Sequence, residues 1–110
     1  MKEIRAIIRP QKLPRLREVL RSMPGFPGMT VSKAFGCGST LRHAPQNIKE
    51  ELVDFTEKVR VEIIAPDEMV DALVDHIVQV ATTGQTGDGL VWVNDVQRAV
   101  FIRKTVGPDN

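Results

Sequence analysis

Apolar residues in the first third of the chain follow a period of two and then a period of three to four. The alternation in residues 2–9 predicts a β-strand, and the wider spacing after it predicts an amphipathic helix that begins near Pro14. The strand's apolar face holds Ile4, Ala6 and Ile8, and the helix's holds Leu13, Leu16, Leu20 and Met23. Prolines and glycines end the helix, and residues 29–35 predict a second strand.

The same order returns in the second half of the chain. Residues 53–65 predict a third strand, and Pro66 and Asp67 open a second helix with a broad apolar face. That face contains Met69, Val70, Leu73, Val74, Ile77, Val78 and Ala81. Residues 90–93 and 99–103 predict two short strands. The order of elements is the split βαββαβ pattern of an α+β, ferredoxin-like fold.

One face of the predicted sheet has no helix to cover it. Ile7, Val31 and Ile64 are predicted to lie on that face, where water would reach them in a single chain. Self-association is the economical way to bury such a face. The sequence therefore predicts an obligate oligomer.

Composition narrows the class of protein. A length of 110 residues fits one domain, residues 1–110, and 15 Lys and Arg nearly balance 14 Asp and Glu. This balance disfavours nucleic acid as a partner. A single cysteine excludes an internal disulfide framework. Neither a secretion signal nor an apolar run of membrane-spanning length is found, so the expectation is a cytoplasmic protein without direct membrane insertion.

The segment 83–89, Thr-Gly-Gln-Thr-Gly-Asp-Gly, joins the second helix to the next strand. Its three glycines allow backbone N–H groups to approach a phosphate without a Cβ in the way. Glycine-rich connections are more often plain turns, however, and the Gly-Lys-Ser/Thr ending of a P-loop is absent. Taken alone, the segment favours a turn over a phosphate site.

A long polar segment separates the second and third strands. Residues 36–51 show no steady period, and a connection of this length in a compact domain is usually functional or mobile. We predict a flexible interaction loop over about residues 37–52 and a C-terminal tail over about residues 104–110. Cys37, His43 and His76 lack the spacing of a zinc site, so no metal is predicted.

Several motifs in order resemble the PII signal-transduction family, the trimeric nitrogen-regulatory proteins and their divergent relatives. The matching segments are residues 1–10, 16–20, 28–31, 53–55, 58–59, 61–67 and 100–103, and most specifically residues 83–89. The resemblance covers nearly the whole chain. It implies a homotrimer that binds an adenine nucleotide in each of three clefts between neighbouring subunits, and it favours the phosphate-binding interpretation of residues 83–89.

The resemblance assigns nucleotide contacts to three groups of residues. These are Ile7, Gly28, Met29, Thr30, Glu62 and Ile64 for adenine and ribose, Gly87, Asp88, Gly89 and Arg103 for the phosphates, and Gly36, Cys37, Gly38 and Ser39 at the base of the long loop. A hydroxyl can read a base edge, a carboxylate can accept from ribose, and amides and a guanidinium can bind phosphate. Apart from the resemblance, Thr30, Glu62 and Arg103 look like ordinary strand or surface residues.

The departures from the family pattern concern charge. Three basic residues of members that hold a triphosphate are replaced here by Leu90, Phe101 and Ser39. Because a hydrogen bond to a charged group contributes roughly 1.5 to 3 kcal/mol, their loss should weaken binding of a γ-phosphate most. We therefore expect AMP or ADP to bind at least as tightly as ATP.

The long loop departs as well. Thr40 replaces the Gln that orients Mg²⁺ and 2-oxoglutarate in nitrogen-sensing members, and Glu51 stands where those members carry a modified Tyr. Lys58 matches the residue that contacts 2-oxoglutarate. By analogy with wider relatives, a small anion such as bicarbonate is the expected effector near Ser39, Thr40, Lys58 and Arg103, in place of 2-oxoglutarate.

The sequence as a whole favours a regulatory protein over an enzyme. Such a protein would bind AMP, ADP or ATP as ligands, need no cofactor, and contact a transporter or enzyme through its long loop. A small phosphate-hydrolysing enzyme on the same scaffold is the alternative, although no nucleophile and base can be named for it. An RNA-recognition domain is disfavoured because the aromatic residues do not have the required spacing.

Overall fold

The computed structural model describes residues 1–38 and 55–102. Its elements are strands β1 (Lys2–Ile8), β2 (Thr30–Gly36), β3 (Thr56–Ala65) and β4 (Gly89–Asp95), and helices α1 (Leu13–Arg21) and α2 (Val70–Ala81). Each helix is preceded by a short 3-10 turn, Pro10–Lys12 or Asp67–Met69. The predicted ferredoxin-like α+β fold is confirmed.

The four strands form one antiparallel sheet in the order β2-β3-β1-β4. β1 lies inside the sheet and pairs along its whole length with both β3 and β4. β4 pairs with every residue of β1, so it extends over Gly89–Asp95 and is longer than the predicted residues 90–93. This order makes β3 and β1 the two central strands, and both contribute residues to the sites described below.

Both helices pack on one face of the sheet. The alternation predicted for β1 is confirmed, since Ile4, Ala6 and Ile8 are all buried. From the helices, the fully buried side chains on this core are Leu16, Leu20, Leu73 and Ile77. No helix in the described parts of the chain is long and apolar enough to cross a membrane.

Nothing in residues 1–38 and 55–102 covers the opposite face of the sheet, the open face. Ile7 pairs with Arg60 and Leu90 on this face, and Ile64 pairs with Glu3. The prediction for Val31 was wrong, because Val31 pairs with the buried Val61 and therefore points to the helix side. β2 carries apolar residues on both of its faces, so its own pattern does not fix its register.

The predicted strand at residues 99–103 is also wrong for residues 99–102, which form no strand with any described part of the chain. A strand needs a partner for its backbone hydrogen bonds, and these residues leave the sheet after β4 without one. Val100 and Ile102 are consequently exposed. Most of the predicted long loop (residues 39–52) and the predicted C-terminal tail lie outside the described residues.

Candidate functional site

A groove of about 510 Å³ opens at one end of the open sheet face. The approach to β2, the end of β3 and the segment after β4 form its walls. Its lining residues are Glu3, Pro27, Gly28, Met29, Thr30, Glu62, Ile64 and Phe101. The structure thus brings together five of the six residues that the family resemblance assigned to adenine and ribose; Ile7 is the sixth and does not line the groove.

The groove combines apolar surfaces with a few polar groups. Met29, Ile64 and the half-exposed Phe101 offer apolar faces to a flat ring. Its polar side-chain groups are the Glu3 carboxylate, the Thr30 hydroxyl and the Glu62 carboxylate, and the last two lie directly opposite each other across β2 and β3. A heterocyclic base with an attached sugar suits this mixture, because the base needs apolar contact and the sugar needs hydrogen-bond acceptors.

An arginine lies beside the carboxylates of the groove. The Nε atom of Arg5 is 3.2 Å from Oε2 of Glu62 and 3.2 Å from Oε2 of Glu3. Arg5 and Glu62 are direct cross-strand partners between β1 and β3. The two negative charges of the groove are therefore partly offset by one positive charge.

A second site forms around the glycine-rich loop, residues 82–88, at the other end of the sheet. Inside the loop, the Asp88 carboxylate accepts hydrogen bonds from the Thr83 hydroxyl, from the Thr83 N–H (2.8 Å) and from the Gly84 N–H (3.0 Å). These bonds, above all the one from the Thr83 hydroxyl, hold the pKa of Asp88 far below its ordinary value. The Asp88 side chain is thus a brace of the loop.

Two cations hold the loop to the sheet. Arg9, just after β1, donates from Nη2 to the Thr86 carbonyl (2.7 Å) and from Nε to the Asp88 carboxylate (3.2 Å). Lys58 in β3 donates from Nζ to the Gly87 carbonyl (2.6 Å). A braced glycine loop with two cations beside it is a suitable place for an anion.

Glycine is required where the loop meets β1. Gly89 has a φ of +105°, and a Cβ there would lie 1.7 Å from the Ile7 carbonyl oxygen. At Gly87 (φ +94°) a Cβ would lie 3.3 Å from Nη2 of Arg9 and 3.6 Å from Nζ of Lys58. The glycines thus let the loop pack tightly on β1 and on both cations.

The remaining assigned residues fall near the loop or outside the described chain. Gly36, at the end of β2, lies beside Lys58, and Cys37, which follows it, is exposed. Gly38 is the last described residue before the long loop, whereas Ser39, Thr40 and Arg103 lie outside the described residues. In the described ranges, no three His, Cys, Asp or Glu side chains cluster as metal ligands.

Sequence reasoning did not single out Glu3, Arg5, Arg9 or Pro27 as site residues. Glu3 and Arg5 are close to Glu62 only because of the register of β1 on β3. The loop residue that Arg9 contacts, Thr86, is far from Arg9 in sequence. Charged residues at alternate positions were the available signal, because Glu3 and Arg5 in β1 and Arg9 just after it follow the same alternation. That pattern alone does not identify their partners.

Comparison with known proteins gives the family. A model of the family described as "Nitrogen regulatory protein P-II" matches residues 1–106. The chain is 45% identical to "Nitrogen regulatory protein P-II 1" of Escherichia coli K12 over 104 residues, which is 94% of this chain and 92% of that protein. P-II proteins of Klebsiella oxytoca (44%) and Haemophilus influenzae (41%) match with the same coverage. The chain therefore belongs to the nitrogen regulatory protein P-II family, whose members are regulatory signal-transduction proteins and not enzymes.

Proposed function

We propose that this P-II protein is a homotrimer that binds adenine nucleotides in clefts between subunits. In each cleft, the groove of one subunit holds adenine and ribose, and the glycine-rich loop of a neighbour holds the phosphates. The single observation that carries this proposal is that the two sites lie at opposite ends of one sheet face, too far apart for one AMP or ADP molecule to reach both in a single chain.

The separation follows from the strand geometry. Ile64 in the groove and Lys58 beside the loop are six residues apart on β3. At about 3.3 Å per residue this is roughly 20 Å. An adenine seated against Ile64 would leave the phosphates of AMP or ADP short of the loop of the same chain. A second copy could bring its loop to the groove, and then one nucleotide would bridge both.

The open sheet face supports assembly independently. Leu90 is 59% exposed, and Ile7, Ile64 and Trp92 share its face and are only partly buried. Burying such a face against other copies is favourable by about 25 cal/mol per Å² of apolar surface. Closed rotational symmetry would then give every copy the same groove and loop contacts.

The nucleotide preference follows from the side chains present. Phe101 lines the groove and Leu90 follows the loop, and neither can donate a hydrogen bond to a phosphate. Each charge-assisted hydrogen bond that is missing costs about 1.5 to 3 kcal/mol of binding. We propose that AMP and ADP bind at least as tightly as ATP.

A second effector belongs to the loop site in this proposal. Lys58 and Arg9 bring two positive charges to the same turn, and a small anion such as bicarbonate, rather than 2-oxoglutarate, is the proposed ligand. Residues 37–52 would pass the signal to a transporter or an enzyme. The role of residues 37–52 is supported by the sequence and the family alone, because residues 39–54 lie outside the described structure.

Titration calorimetry with AMP, ADP and ATP, each with and without bicarbonate or 2-oxoglutarate, tests the ligands. We expect the affinity for ADP or AMP to equal or exceed the affinity for ATP. We also expect these affinities to change when bicarbonate is added but not when 2-oxoglutarate is added. A tenfold preference for ATP would refute the nucleotide assignment. Unchanged nucleotide affinity in bicarbonate would refute the anion assignment alone.

Subunit complementation tests the shared cleft. Thr30→Trp should block the groove, and Gly87→Glu should repel phosphate from the loop, so each homotrimer should lose ADP binding. Randomly mixed trimers should regain about a quarter of the wild-type sites, because some clefts then combine an intact groove with an intact loop. Mixed trimers that regain nothing, although subunit exchange is demonstrated by mass spectrometry, would contradict a shared site.

A further inference from the structure

One row of residues crosses the open face at the groove. Thr30 of β2 lies opposite Glu62 of β3, Glu62 lies opposite Arg5 of β1, and Arg5 lies opposite Trp92 of β4. Direct cross-strand neighbours on one face have Cβ atoms about 4.5 to 5.5 Å apart, so each side chain can contact the next. Arg5 thus lies between Glu62, which lines the groove, and Trp92 of β4.

The Arg5 side chain lies between two carboxylates. Its Nε atom is buried and lies 3.2 Å from an oxygen of Glu3 and 3.2 Å from an oxygen of Glu62. Neither contact meets the angle of a linear hydrogen bond, so Nε has no well-aligned acceptor among the described residues.

We propose that Arg5 is a positioning residue for the groove, which fixes the Glu62 carboxylate for the ribose hydroxyls and offsets the negative charge that Glu3 and Glu62 present to an anionic ligand. This inference rests on the proposed nucleotide function. It assigns to Arg5 the selection of ribonucleotides over deoxyribonucleotides, although Arg5 is not among the residues that line the groove.

The physical reason is the proximity of the two acids. Because both approach the same Nε atom, Glu3 and Glu62 are close enough to repel each other once the arginine is removed. Glu62 would then turn away from Glu3 and lose its fixed orientation, and a nucleotide would meet two uncompensated negative charges. Affinity for ADP would fall, and the contribution of the ribose hydroxyls would fall with it.

The test compares ADP with 2′-deoxy-ADP and 3′-deoxy-ADP by calorimetry. Wild-type protein should prefer ADP to at least one deoxy analogue by about tenfold, as expected for a hydrogen bond to a carboxylate. Arg5→Met should reduce that preference to within about twofold. Arg5→Lys, which keeps the charge, should retain most of it. Arg17→Met, which removes an exposed charge from α1, is the matched control and should behave as wild type.

The two levels of the inference fail differently. If wild-type protein binds none of the three nucleotides, the proposed function fails and this inference fails with it. If wild-type protein binds ADP but does not discriminate, or if Arg5→Met discriminates as wild type does, only the role of Arg5 is overturned. Circular dichroism and urea denaturation establish that each variant is folded, and Arg5→Gln is used in place of Arg5→Met if the methionine variant unfolds.

Discussion

Gly89→Ala should destabilise the protein far more than any other glycine-to-alanine change in the glycine-rich region. The new Cβ would lie 1.7 Å from the Ile7 carbonyl oxygen and 2.8 Å from its carbon, so the backbone of β1 or β4 must move. Both atoms belong to the backbone of β1, one of the two central strands. A central strand cannot move aside as easily as the end of a flexible side chain. Gly84→Ala is the matched control, because Gly84 has a similar φ (+82°) but open space around its Cβ position.

The two substitutions separate backbone strain from collision. A non-glycine residue in the left-handed region costs about 1 to 2 kcal/mol, and Gly84→Ala should lose only that amount. Gly89→Ala adds about 1 to 3 kcal/mol of overpacking and the weakening of one or two β1–β4 hydrogen bonds at about 1 kcal/mol each. The expected loss is therefore about 3 to 7 kcal/mol for Gly89→Ala.

Urea denaturation followed by circular dichroism measures both losses. All proteins are compared at one protomer concentration, because assembly makes apparent stability depend on concentration. Thermal melts should agree, with a Tm lower by roughly 5 °C for Gly84→Ala and by about 15 °C or more for Gly89→Ala. If the two variants lose the same stability within about 0.5 kcal/mol, Gly89 does not pack against Ile7 as described.

Three further substitutions probe other parts of the structure. Asp88→Asn should destabilise the protein at neutral pH, and because the folded-state pKa of Asp88 is lowered, the difference from wild type should shrink as pH falls below about 4; an undiminished difference at pH 2 in urea titrations would refute the brace. Arg9→Met should weaken ADP binding by about tenfold in calorimetry and leave adenosine binding unchanged, whereas equal losses for both ligands would contradict its role at the phosphate loop. Leu20→Ala should cost about 2 to 5 kcal/mol and the exposed Val78→Ala less than about 1 kcal/mol in the same denaturation assay, and similar losses would place Leu20 outside the core.

Periodicity was sufficient for β1 and for the two helices, because each of them has one clear apolar face. In β1 the buried set of Ile4, Ala6 and Ile8 is unmistakable in the sequence, and the helices each present a continuous stripe. The pattern was insufficient for Val31, since β2 has no consistently apolar face. Only pairing with β3 decides which way its side chains point.

The candidate site was predictable where a motif is local and not where it depends on pairing. Gly28, Met29 and Thr30 form a contiguous motif, and they do line the groove. Arg5 was missed because its contact with Glu62 depends on strand register. Arg9 was missed because its contact with Asp88 joins residues about 80 positions apart in sequence. Long-range contacts of this kind follow from topology and leave no local signature.

A crystal structure of the protein with ADP would decide whether the nucleotide is shared between subunits. We predict adenine against Ile64 and Thr30 of one subunit and the β-phosphate at the Gly87 amide of its neighbour. ADP bound within a single chain, or bound away from both the groove and the glycine-rich loop, would contradict the proposed cleft.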